Sequence, residues 1–106
     1  MSTRENQILA RIKNRIQEKD SAAEVILFGS RARGDAKPEP DWDILILLNQ
    51  PEVTRARERE FRHHLFDLEL EIGEPISTFV FSKLLWKSKH AVTPFYRSIQ
   101  SEGILL

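Results

Sequence analysis

The 106-residue sequence contains no cysteine. Disulfides, thiolate zinc sites and cysteine nucleophiles are therefore excluded, and nothing follows about redox compartment. Net charge is also lacking, because 16 Lys and Arg balance 16 Asp and Glu. No global electrostatic pull toward nucleic acid is expected, although a local basic patch is compatible with neutrality. No apolar run approaches the ~20 residues that span a bilayer. The start, Met1-Ser2-Thr3-Arg4-Glu5-Asn6, is polar and lacks the apolar stretch of a signal peptide. These absences predict a cytoplasmic protein without a membrane partner. Histidine is scarce. His63 and His64 are adjacent and point in different directions on a helix, and neither they nor His90 show metal-ligand spacing.

What is present suits one small domain over residues 1–106, with 41% hydrophobic and 30% charged residues and no candidate linker. Ser2-Thr3-Arg4-Glu5 reads as a capping box. Ile8, Leu9, Ile12 and Ile16 follow at helical spacing to about Glu18. Glu24 to Phe28 is a short buried strand. Gly29-Ser30 turns the chain into a short helix, and Lys37-Pro38-Glu39-Pro40 is loop. Asp41 to Leu48 is a second strand, apolar enough to be central. A charged helix, with Pro51 in its first turn, is predicted to about Phe66. Its Arg55 to Arg62 stretch reads as a solvated face. Leu68-Glu69-Leu70-Glu71-Ile72 alternates like a half-buried strand, and Gly73-Glu74 looks like a hairpin turn into a fourth strand, Pro75 to Phe81. Ser82 and Thr93 cap two final helices, with Trp86, Phe95 and Tyr96 as core or interface residues. The expected class is α/β (α+β), a small mixed sheet flanked by helices.

The chemistry concentrates in Gly29-Ser30-Arg31-Ala32-Arg33-Gly34-Asp35 followed by Asp41-Trp42-Asp43, with ten residues between Ser30 and Asp41. Asp41 and Asp43, two apart at a strand mouth, point to the same face, and paired carboxylates suit oxygen-ligated Mg²⁺. Trp42 must face the opposite side. A Gly-Ser turn entering a helix offers N–H groups and a hydroxyl to a phosphate. Arg31 and Arg33 beside it are candidate phosphate or partner contacts. A metal site and a phosphate cradle side by side are the equipment of phosphoryl or nucleotidyl transfer.

This run resembles the signature of the DNA polymerase beta-like nucleotidyltransferase superfamily, and more closely its minimal nucleotidyltransferase branch. The resemblance covers Val25 to Leu48 closely and the rest loosely. It implies the polymerase beta-like fold, with Gly29 and Ser30 holding the triphosphate of ATP or another nucleoside triphosphate, and Asp41 and Asp43 binding Mg²⁺. It further implies attack on the α-phosphate, loss of pyrophosphate, and transfer of AMP to a hydroxyl. Small relatives act as antitoxins that modify a tyrosine of a HEPN partner. The sequence departs from the family at the third carboxylate. The equivalent segment, Pro75 to Phe81, has no acid; Ser77 falls at the natural position, and Glu69 or Glu71 are possible substitutes. Two rivals follow: a non-catalytic module regulating a HEPN-type partner by contact, and an aminoglycoside-type small-molecule nucleotidyltransferase, disfavoured for want of a second domain. The apolar Ile104-Leu105-Leu106 is compatible with a homo-oligomer.

Overall fold

The computed structural model describes residues 1–35 and 41–106. The predicted loop Lys37 to Pro40 lies outside them. Helix α1, Thr3–Lys19, begins at the expected capping box: the Ser2 hydroxyl accepts from the Glu5 N–H and the Glu5 carboxylate accepts from the Ser2 N–H. Such a cap contributes about 1 kcal/mol. Ile8, Leu9, Ile12 and Ile16 are its buried stripe. Strand β1, Glu24–Phe28, leads through Gly29 into a one-turn helix α2, Ser30–Arg33. Strand β2, Trp42–Leu48, then runs antiparallel to β1.

Three sequence expectations fail after β2. The next helix, α3, is Arg55–Ile72, so neither of its predicted ends holds. Pro51 precedes it, and Thr54 caps it by accepting from the Arg57 N–H at 3.1 Å. The segment Leu68 to Ile72 is the last turn of α3 and not a strand. Phe61, Leu65 and Leu68 are buried and Ile72 packs beside them, a spacing of four, three and four that belongs to a helix. Leu70, which an alternating strand would turn inward, is 68% exposed. Gly73 is accordingly a helix C-cap in the left-handed region (φ 70°) and not a hairpin turn, with its N–H donating to the Glu69 carbonyl at 2.9 Å.

Because α3 continues to Gly73, it becomes a crossover, and β3 (Ile76–Ser82) pairs parallel to β2. Helices α4, Lys83–Ser88, and α5, Pro94–Glu102, start at the predicted caps Ser82 and Thr93. A two-residue strand β4, Ile104–Leu105, then pairs antiparallel with β1. The sheet order is β3-β2-β1-β4, so β2 is central as its composition indicates. Among the described residues no helix is long and apolar enough to cross a membrane.

The period-two pattern of β2 divides the molecule. Trp42, Ile44, Ile46 and Leu48 face α1 and α3, in a cluster with Ile12, Ile16, Phe61 and Leu65. Leu45 and Leu47 face the other way, onto Trp86 and Ile99 with Phe28, Phe81, Phe95 and Tyr96 around them. Each fully buried aliphatic or aromatic side chain contributes roughly 1.5–3 kcal/mol. The sheet is therefore clamped between two apolar layers. Asp43 shares its face with Leu45 and Leu47, on the α4–α5 side.

Candidate functional site

The antiparallel register sets Phe28, the last residue of β1, opposite Asp43, and the parallel register sets Ser77 on the other side of Asp43. Asp43 thus stands at the mouth of the central strand, between the turn that follows β1 and the start of β3. Gly29 makes this possible. Its backbone (φ 77°, ψ −160°) is a conformation that side-chain-bearing residues scarcely adopt, and a Cβ there would overlap Asp43 Oδ2 and lie 3.0 Å from its Cγ. The turn therefore passes directly against the carboxylate. Ser30 opens α2, whose first-turn amides at Ala32 and Arg33 both donate to the Gly29 carbonyl at 3.1 Å. Gly34 closes α2 in the left-handed region. A helix of four residues carries little macrodipole, so any anion held here depends on hydroxyl, amide and guanidinium groups placed individually.

Asp41 lies just before β2, and its charge reaches Asp43. The Asp43 carboxyl is held above its ordinary value of 3.8, first by burial and second by the Asp41 charge, while Arg33 acts in the opposite sense. Two carboxylates that repel one another at a strand mouth are a donor set that fits Mg²⁺, which takes one or two protein carboxylates and completes its shell with water and phosphate oxygens. Among the described residues no group of three acidic or histidine side chains forms a fuller metal cage.

The raised value has a definite consequence for stability. The folded chain binds this proton more tightly than the unfolded chain. The resulting stabilisation is complete below about pH 3.8 and is lost as the pH rises through the folded value. At neutral pH, Asp43 is therefore a destabilising anion. Asp43→Asn is expected to raise Tm at pH 7, with parent and variant converging in acid. Mg²⁺ is expected to raise Tm of the parent and not of the variant. Thermal melts over pH, with and without Mg²⁺, check both statements.

The two arginines of the motif part company. Arg33 donates through Nε to Asp35 at 2.8 Å and through Nη1 to Glu102 at the end of α5 at 3.1 Å, and these bonds raise its pKa further. It remains on the Asp43 side, where its charge is felt. Arg31 turns to the other side of β2. Its guanidinium stacks 3.9 Å from the Trp42 ring centroid and donates to the Asp41 carbonyl, Glu5 and Glu74. Trp42 is fully buried there, as expected of the residue between the aspartates.

The acids considered as substitutes for a third carboxylate are not with the aspartates. Glu69 and Glu71 lie on α3, which covers the opposite face of the sheet. Glu69 accepts the Ile76 N–H at 2.6 Å, and Glu71 pairs with Arg11. Ser77 is the residue in register with Asp43. The contributions of Glu74 and Glu102 escaped the sequence reading, because both act through arginines distant in sequence. His64 meets Glu18 at 3.0 Å, and His90 packs on Phe81, so neither joins the site.

Residues 9–106 match the family model described as a nucleotidyltransferase domain. No curated protein matches the chain.

Proposed function

The chain belongs to the nucleotidyltransferase domain family, and from that premise we propose that it is a Mg²⁺-dependent enzyme that moves AMP from ATP to a hydroxyl of a partner protein, as minimal nucleotidyltransferases paired with HEPN proteins do. The observation that carries this reading is the contact between the Gly29 turn and Asp43, with the Asp41 charge beside it. In this reading Gly29 and Ser30 bind the triphosphate through backbone amides and the hydroxyl, and Arg33 offers it a cationic contact. Asp41 and Asp43 hold the divalent ion. Bound Mg²⁺ neutralises charge on the triphosphate and favours in-line attack. The acceptor hydroxyl gives its proton to solvent and its oxygen bonds to the α-phosphorus, while the bond from that phosphorus to the bridging oxygen breaks and pyrophosphate leaves with the bonding electron pair.

The test is the intact mass of the protein encoded beside this one, after incubation with the chain, ATP and Mg²⁺. Mass increments of one AMP, present with the parent and absent with the Asp41→Ala/Asp43→Ala double variant, are the expected result. Increments that persist in the double variant overturn the reading.

A second reading rests on Ser77. With a hydroxyl in register with Asp43, and Glu69 and Glu71 on the far face, the described residues offer the site no evident base for the acceptor hydroxyl. The chain then regulates a HEPN-type partner by contact, with or without bound nucleotide. A stable complex without any mass increment favours this module over the enzyme.

A further inference from the structure

Arg31 belongs to the signature run, yet its surroundings are not those of a phosphate ligand. Its side chain is 16% exposed, and it lies between two carboxylates and an indole. Nη1 donates to Glu5 Oε2 at 3.2 Å and Nη2 to Glu74 Oε1 at 3.1 Å. The Glu74 side chain is itself 14% exposed, and it pairs with Arg4 at 3.1 Å. It also accepts from Trp42 Nε1 at 2.8 Å. The backbone N–H of Trp42 donates to the Pro75 carbonyl at 3.0 Å. Four segments therefore meet at one guanidinium: the first turn of α1, α2, the entry to β2, and the α3–β3 connection.

One further Arg31 contact gives this junction its meaning. Nε donates to the backbone carbonyl of Asp41 at 3.2 Å. Asp41 and Asp43 flank Trp42, so a group that holds the Asp41 carbonyl from one side and the Trp42 ring from above constrains the backbone that sets the spacing of the two carboxylates. Withdrawing the guanidinium toward a phosphate on the other side of β2 would leave Glu5 and Glu74 without it and strip the stack from Trp42. Charge-assisted bonds of this kind are about twice as strong as neutral ones.

We propose that Arg31 is a positioning residue for the Asp41–Asp43 pair, acting through the Asp41 carbonyl and the Trp42 ring, and does not contact the nucleotide phosphates. The proposal rests on reading the aspartate pair as a divalent-cation site. The fork and the planar stack are what the role requires, so lysine, which keeps only the charge, does not replace arginine here.

The probe is Mn²⁺ alone, its affinity read by electron paramagnetic resonance for the parent, Arg31→Lys and Trp42→Phe, alongside ATP binding without metal. Support at an outer ring of contacts is worth about 10–100-fold in metal affinity. Arg31→Lys is expected to weaken Mn²⁺ by about tenfold, to leave metal-free ATP binding unchanged, and to speed amide exchange at residues 41–43. Trp42→Phe is expected to move Mn²⁺ affinity in the same direction. Loss of metal-free ATP binding with Mn²⁺ affinity intact overturns the proposal in favour of a phosphate contact. A lowered Tm with both affinities intact also overturns it, leaving a purely structural role. A parent chain that binds no Mn²⁺ overturns the metal-site reading as well, whereas a parent that binds and an Arg31→Lys variant that binds equally well overturn this proposal alone.

Discussion

Asp43→Asn is expected to lower nucleotidyl transfer by on the order of 10³-fold or more while the protein folds at least as well as the parent. The two halves of this result have one cause. The parent carboxylate is disfavoured by burial and by the Asp41 charge, so the amide relieves a repulsion that the fold otherwise sustains. In the proposed function, the same substitution removes half of the anionic donor set at the strand mouth. Activity and stability therefore move in opposite directions, which separates loss of function from loss of fold in one variant. Transfer measured by AMP incorporation, with Tm measured on the same sample at neutral pH, is the check. A variant that loses activity only in proportion to lost stability would contradict the expectation.

Gly29→Ala is expected to be the most damaging single methyl group that can be added to the turn. The backbone there is nearly confined to glycine and costs about 1–3 kcal/mol for any other residue. The new Cβ would also overlap the Asp43 carboxylate, so Asp43 or the turn must move. Tm is expected to fall by roughly 10 °C or more, and transfer to drop below detection even at temperatures where the variant is folded. Gly34→Ala is the matched control. Gly34 is also left-handed, at φ 74°, but among the described residues a methyl group added there would have no heavy atom of another segment within 4 Å. It is expected to cost about 1–2 kcal/mol of backbone strain and to spare the site. Equal losses of transfer in both alanine variants would show that turn strain, rather than contact with Asp43, governs the effect.

Most of the fold was legible in local patterns. The capping box at Ser2, the central β2, and the caps at Ser82 and Thr93 each stand where sequence rules put them. The failure at Leu68 to Ile72 was a contest between two periods. Five residues alternate apolar and acidic, which suits a strand, but Phe61 and Leu65 extend the same apolar positions as a helical stripe over a longer stretch. The longer pattern won, and with it a predicted hairpin became a parallel crossover. Strand β4 escaped because two residues carry no period at all; it exists by pairing with Ile26 and Leu27.

The approach of the Gly29 turn to Asp43 was legible in the spacing, and the wiring of the arginines was not. Gly29 and Asp43 are close in sequence, and their approach could be read directly. The division of labour between Arg31 and Arg33 could not. It depends on Glu5, Glu74 and Glu102, which lie 26, 43 and 69 positions from the arginines they bind. Nothing local in a sequence announces an ion pair at such separations.

The two tryptophans occupy opposite sides of one sheet, Trp42 among the residues facing α1 and α3 and Trp86 among those facing α4 and α5. Each apolar layer thus carries its own fluorophore. Trp42 emits from beneath a guanidinium, with its indole N–H held by Glu74, and Trp86 emits from a cage of Phe81, His90, Phe95 and Tyr96. The intrinsic emission of the chain is consequently a sum of two spectra from distinct surroundings. One is coupled to the backbone between the aspartates, and the other belongs to the layer packed on α4 and α5.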